Sequence, residues 1–146
     1  MSQVSSERGS MTVEVAFLLV LLVVPLFYLV GTLGRLQAGA YAVSAAAREA
    51  GRAFATAESV DSATGRAQAA AALVFRSHGF LEGQGAVGVG CADPGCLQPG
   101  SAVLVDASIS VPLPLVPDFM AGSVPTTVSL TARHIEPVDE FRGSPP

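Results

Sequence analysis

The sequence predicts an α+β fold. A long N-terminal transmembrane helix continues into an external Ala-rich helix, followed by a second short helix and a small antiparallel β-sheet. Three observations carry this reading. Twenty residues from Val15 to Gly34 pass without a charge, about the length that spans a bilayer core. Beyond them, "RLQAGAYAVSAAAREAGRAFATA" places small residues in rows four apart. Towards the C-terminus, two segments alternate apolar and polar residues, the pattern of half-buried strands.

In chain order, residues 1–9 form a polar leader and 10–34 the membrane helix. Pro25 falls inside that helix, where it removes a hydrogen bond and is expected to bend it. Residues 35–57 form the external extension. There Gly34, Ala38, Ala42, Ala46 and Ala50 recur every four residues, and Gly39, Val43, Ala47 and Gly51 make the adjacent row. Gln37, Arg48, Glu49 and Arg52 fall on other rows, so one face is small and the other charged. Small residues at this spacing let helices approach closely, although any Ala-rich helix produces some such rows by chance.

Residues 58–136 then form a small external α+β domain. Ser59 to Ser62 interrupts the helical pattern, and Ala63 to Ser77 reads as the second helix, ended by Gly79. "GFLEGQGAVGVGCADPGCLQPG" reads as short extended pieces and turns. In the first strand Val103, Val105, Ala107, Ile109 and Val111 alternate with Asp106, Ser108 and Ser110. In the second, Val128, Leu130 and Ala132 alternate with Thr127, Ser129, Thr131 and Arg133. "PLPLVPDFMAGSVP" is a long connection between them, and 137–146 reads as a flexible polar tail.

Composition narrows the function. The chain has 146 residues; without the membrane segment, about 110 remain for one small domain. The net charge is −4, all eight basic residues are Arg, and no basic run occurs, which argues against nucleic-acid binding. With no Asn there is no N-glycosylation acceptor. His78 and His134 stand alone, and two cysteines are too few for a structural zinc site. No Ser has a His and Asp constellation around it. "GQGAVG" (Gly83 to Gly88) matches a dinucleotide-binding string. That motif needs a strand before it and a helix after it, whereas glycines and a Pro-Gly turn follow here, so it reads as a flexible loop. The sequence thus offers no catalytic residue, no metal site and no cofactor.

Cys91 and Cys96 bracket "ADPG", with Pro94 and Gly95 suited to the central positions of a type II turn. A disulfide there would pin the turn, worth about 2 kcal/mol; free thiols are the alternative. The spacing is not C-x-x-C, and no helix N-terminus is at hand to activate a thiol. The flanks of the membrane run are nearly balanced in charge, Arg8 with Glu7 before it and Arg35 after, so the positive-inside rule barely discriminates. A long C-terminal part with a cysteine pair suits an oxidising exterior, which puts the short N-terminus in the cytoplasm.

Glu14 sits one residue before the apolar run, where an unpaired carboxylate drawn into lipid is costly. Gly9, then Ser10, then Glu14 as the fifth residue, gives this charge a specific reading. Cutting after Gly9 creates a positive amine at Ser10, which can pair with Glu14 of a neighbouring subunit and offset either charge alone. An uncleaved signal anchor is the competing reading, with Glu14 incidental.

"ERGSMTVEVAFLLVLLVVP", followed by "AAAREAGRA" and closing with a strand before "HIEPVDEF", resembles the TadE-like family, the minor pilins or pseudopilins of tight-adherence (Flp-type) pili. The resemblance is strongest over residues 7 to 57. It implies a type IV pilin-like fold, cleavage between Gly9 and Ser10 by a prepilin peptidase on the cytoplasmic side, and a role in pilus assembly rather than catalysis. It also implies partners: the peptidase, other pilins and pilus assembly membrane proteins, and membrane lipid. Pilins usually carry Phe at the first mature position, which Ser10 occupies here. The alternative to this reading is a single-pass anchor whose external domain binds an envelope partner or ligand.

Overall fold

The computed structural model describes residues 7–92, 94–113, 122 and 125–143, with side chains from Met11 onward. Two helices, α1 (Glu7–Ala55) and α2 (Val60–Ser77), precede three strands, β1 (Gly85–Cys91), β2 (Ala102–Pro112) and β3 (Thr127–Pro137). The strands form one antiparallel sheet in the order β1-β2-β3. Residues 1–6 of the expected leader and most of the β2–β3 connection lie outside the described residues.

α1 is a single helix of 49 residues, roughly 70 Å long. It starts ahead of the expected boundary at Ser10 and includes Gly9, because one glycine costs only about 1 kcal/mol in a helix. It also runs through Pro25 without interruption. Its two halves meet different surroundings. From Met11 to Leu33 the large apolar side chains are exposed, whereas Ala42, Val43, Ala46, Ala47, Ala50 and Phe54 are buried. The second half packs on α2, β2 and β3.

Small residues set the closeness of that packing. A Cβ added to Gly39 would lie 2.6 Å from Val111 Cγ2 and 3.0 Å from Leu130 Cδ1, and one on Gly51 would lie 3.0 Å from the Glu136 Cβ. The sheet therefore rests almost on the backbone of α1. β2 supplies the centre of the core: Val103, Val105, Ala107, Ile109 and Val111 are all buried, and their polar neighbours point outward. On β3, Val128, Leu130 and Ala132 face the same side and are half-buried. α2 joins through Ala63, Ala67, Ala71 and Phe75, again four residues apart.

Four local features differ from the sequence expectation, each for a physical reason. α2 begins at Val60 because Ser59 is its N-cap, with extended backbone and a side-chain oxygen that accepts from the Ser62 N–H at 3.4 Å. Such a cap is worth about 1 kcal/mol. Within the stretch expected as short extended pieces and turns, the Gly83–Gly88 string expected to be a flexible loop enters β1, which pairs with β2 from Gly85↔Ile109 to Cys91↔Val103. Gly85 is required there, since an added Cβ would lie 2.6 Å from the Phe75 ring. No helix follows β1, so the dinucleotide-like string lies at and just before an edge strand. Residues 138–142, expected to fray, are docked. Val138 is buried and its N–H donates to the Ser101 carbonyl at 2.8 Å. Arg142 donates to the carbonyls of Ala55 and Ala57, satisfying acceptors that a helix end leaves without partners. Finally, Gly34 does not share the fate of its row. It is exposed, with open space where a Cβ would stand, because the α+β domain only begins to cover α1 a turn further on.

These contacts generate a paired expectation. Gly39→Leu should destabilise the α+β domain by about 1–3 kcal/mol through overpacking, while Gly34→Leu should leave it unchanged. Thermal unfolding in detergent micelles, followed by circular dichroism, reads both. Equal midpoints for the two variants would contradict the close helix–sheet contact.

Candidate functional site

The chemistry-bearing residues do not converge. Among the described residues no group of three or more His, Cys, Asp or Glu is placed to hold a metal ion. The concavities are open surface features, such as a groove between α1 and α2 lined by Ala45, Arg48, Leu73 and Ser77. Each His has a local role. His78 caps α2, its Nδ1 lying 2.9 Å from the Val74 carbonyl. His134 is not alone, as its spacing had suggested. Its Nε2 lies 2.9 Å from Glu136 Oε2, because period two on β3 puts both residues on the side facing Gly51. On the opposite face Arg133 Nε donates to Asp106 Oδ1 at 2.7 Å. This hydrogen bond first, and the carboxylate's charge second, hold the Arg133 guanidinium above its ordinary pKa.

What stands out is the first half of α1. It contains an eighteen-residue window of mean hydropathy 2.7, none of which is buried within the subunit. Side chains such as Phe17, Leu22 and Phe27 are more than half exposed. Leaving them in water would forfeit about 1.5–3 kcal/mol each. This is a surface built for lipid or for other helices, and α1 is a candidate single membrane span.

Glu14 lies near the start of that surface and is exposed. Its neighbours one turn away on α1 are Ser10, Met11, Phe17 and Leu18, none of which has a cationic side chain. Among the described residues it makes no ion pair. Gly9 and Ser10 lie in the first turns of the same helix. The small-residue row divides. Ala42, Ala46 and Ala50 are fully buried inside the subunit and Ala38 is partly buried, while Gly34 faces out. The row thus serves packing within the chain, against its own domain.

At the junction between the two halves, Arg35 lies over the Phe80 ring, 4.9 Å from its centroid. Sequence reading missed this contact, since nothing in "HGF" marks Phe80 as the partner of a residue forty-five positions earlier. At the opposite margin Cys91 and Cys96 are joined in a disulfide with Cα atoms 4.9 Å apart. The supporting turn differs from the expected type II turn, because Gly95 does not adopt the left-handed conformation that turn demands. Instead Gln98 N–H donates to the Gly95 carbonyl at 3.1 Å, and Ser101 Oγ donates to the Gln98 carbonyl at 2.7 Å. The left-handed residue is Gly100, with φ 77°.

No protein-family model, curated protein or solved structure shows a significant match to this chain.

The disulfide yields a direct expectation. Alkylation of the unreduced protein should label neither Cys91 nor Cys96, and reduction should expose both. Removing the bond by Cys91→Ser with Cys96→Ser should cost about 2 kcal/mol. Complete labelling without reductant would contradict the pairing.

Proposed function

We propose that this chain is a TadE-like minor pilin or pseudopilin that takes part in assembling a tight-adherence (Flp-type IV) pilus. One observation carries the reading. A single helix has an N-terminal half that finds no partner inside the subunit, headed by one carboxylate, Glu14, with Gly9–Ser10 just before it. Its C-terminal half is the spine of a small α+β domain. A subunit of this form can be stored in a membrane by the first half and transferred into a bundle of like helices without refolding the second. The resemblance of residues 7 to 57 to the TadE-like family points the same way.

In this reading the short N-terminus is cytoplasmic and the disulfide-bearing domain external. A prepilin peptidase cuts between Gly9 and Ser10, and the new amine pairs with Glu14 of an adjacent subunit. The partners are that peptidase, other pilins and pilus assembly membrane proteins, and lipid. The chain contributes no catalytic residue, metal or cofactor to this work. The second reading is an uncleaved single-pass anchor whose external domain binds an envelope partner; the open groove between α1 and α2 is the feature that favours it.

Two measurements separate these readings. Co-expression with an active prepilin peptidase should remove residues 1–9, seen as a loss of mass, and replacing Gly9 with a bulky residue should stop it. Recovery of only the intact chain would contradict the processing. Glu14→Gln should leave membrane insertion and cleavage unchanged but abolish co-purification with pilus components. Removing one member of a buried pair costs about 3–5 kcal/mol, while removing a charge from the membrane edge does not impede insertion. A variant that still co-purifies normally would leave Glu14 incidental and favour the anchor.

A further inference from the structure

The contact between Arg35 and Phe80 fixes one end of the external domain relative to the bilayer. The uncharged run ends at Gly34. Its twenty residues at 1.5 Å each give about 30 Å, the thickness of the hydrocarbon core. Arg35 therefore enters the headgroup layer, which is roughly 5–8 Å thick on each side. Helical side chains lean toward the N-terminus of their helix, so the guanidinium has no reason to rise far above its own Cα. The Phe80 ring lies 4.9 Å from that guanidinium and 3.6 Å from a Cβ placed on Gly39. The α2–β1 loop is thus held at the level of the headgroups.

Its composition fits that level. Phe80 is buried, but the next residue, Leu81, is 74% exposed, a large apolar side chain with no cover from its own domain. Leu81 shares a small cleft with Arg76, from the last turn of α2, and with Glu82. Among the described residues, Arg35 and Arg76 stand against Glu82 at this end, a local balance towards positive charge in a chain whose net charge is −4. The sheet presents the same end, since Val111 and Leu130 meet Gly39 and β2 closes there on β3 through Leu113 N–H to the Thr126 carbonyl at 2.8 Å. The opposite end, at the α1–α2 turn where Arg142 docks, also exposes apolar side chains, Val60 and Phe141, but there the neighbours in sequence are acidic: Glu58, Asp61, Asp139 and Glu140.

We infer that the α2–β1 loop is a second membrane contact: Leu81 inserts at the interface, and Arg35 and Arg76 face phospholipid phosphates. The inference rests on the reading of α1 as a membrane span. An apolar tip flanked by basic residues is the pattern of interfacial anchoring, in which burial of the apolar group and attraction to phosphate act together. The contact seats the external domain against the lipid surface, so a subunit awaiting partners is restricted in the tilt that its one continuous helix takes in the bilayer. Withdrawal from the membrane must then break both contacts.

The test uses the full chain in phospholipid vesicles, with the native disulfide intact and single labelled cysteines introduced. A fluorophore at Glu82→Cys, with Leu81 retained, should lose its emission when the lipids carry a headgroup nitroxide. The same fluorophore beside Leu81→Asp should recover it. A label at Leu22→Cys should be quenched by a nitroxide deep in the acyl chain, and one at Val60→Cys by neither lipid. If Leu22 is quenched but Glu82 is not, the loop contact is overturned while the span stands. Equal quenching at Glu82 with and without Leu81→Asp also overturns it, since Leu81 is then not the anchor. If Leu22 escapes the deep nitroxide, the span and the loop contact fall together.

Discussion

The distance between α1 and the sheet governs the rest of the molecule. At Gly39 and Gly51 the helix has no side chain to hold β2 and β3 away, and Val111, Leu130 and the Glu136 stem fill the space a Cβ would take. Close-packed interiors transmit such constraints because there is no slack to absorb them. With the sheet seated on one flank of α1, α2 takes the next flank with alanines of its own. The remaining contacts complete this arrangement. Arg142 ties the returning chain to the end of α1, and Phe75 covers Gly85 to bring in the edge strand.

Because the same helix continues into the apolar half, the packing has consequences beyond stability. The α+β domain has no hinge between it and the apolar half of α1; its orientation is inherited from that helix. The exposed apolar half contributes nothing to the core, and the core half exposes little that is apolar. The exposed apolar surface and the folding surface are thereby separated along one element. A charge such as Glu14 can sit at the outer end of the helix without disturbing the fold, since every residue that packs against the sheet lies more than twenty positions away.

The parts legible in the sequence were those with strong periodicity. β2 showed its buried face through strict alternation from Val103 to Val111, and the membrane run showed itself by length and absence of charge. What escaped depended on tertiary partners. The start of β1 reads as a loop, within a stretch of short extended pieces and turns, because glycine has low strand preference; only the Phe75 ring above Gly85 explains why glycine is needed in a strand. The start of α2 at Val60 rested on a cap formed by Ser59, a residue that also suits a break. The docked tail could not be foreseen from "EPVDEFRG", since the acceptors for Arg142 lie at the end of another helix. Of the candidate site residues, Glu14 and the cysteines were singled out by local chemistry, and the cysteines are paired in the structure. Arg35 gained its meaning only from Phe80.

The central claim is that residues 39 to 54 of α1 are the spine of the α+β domain rather than a free extension of the apolar half of the helix. Amide hydrogen exchange of the full chain in lipid, resolved by fragment mass, measures this directly, because protection follows the free energy of local opening. The expected result is that residues 39–54 exchange as slowly as Val103–Val111 of β2 and lose protection together with β2 as denaturant is added. Rapid exchange across 39–54 while β2 stays protected would show that the sheet folds without α1 and would contradict the account.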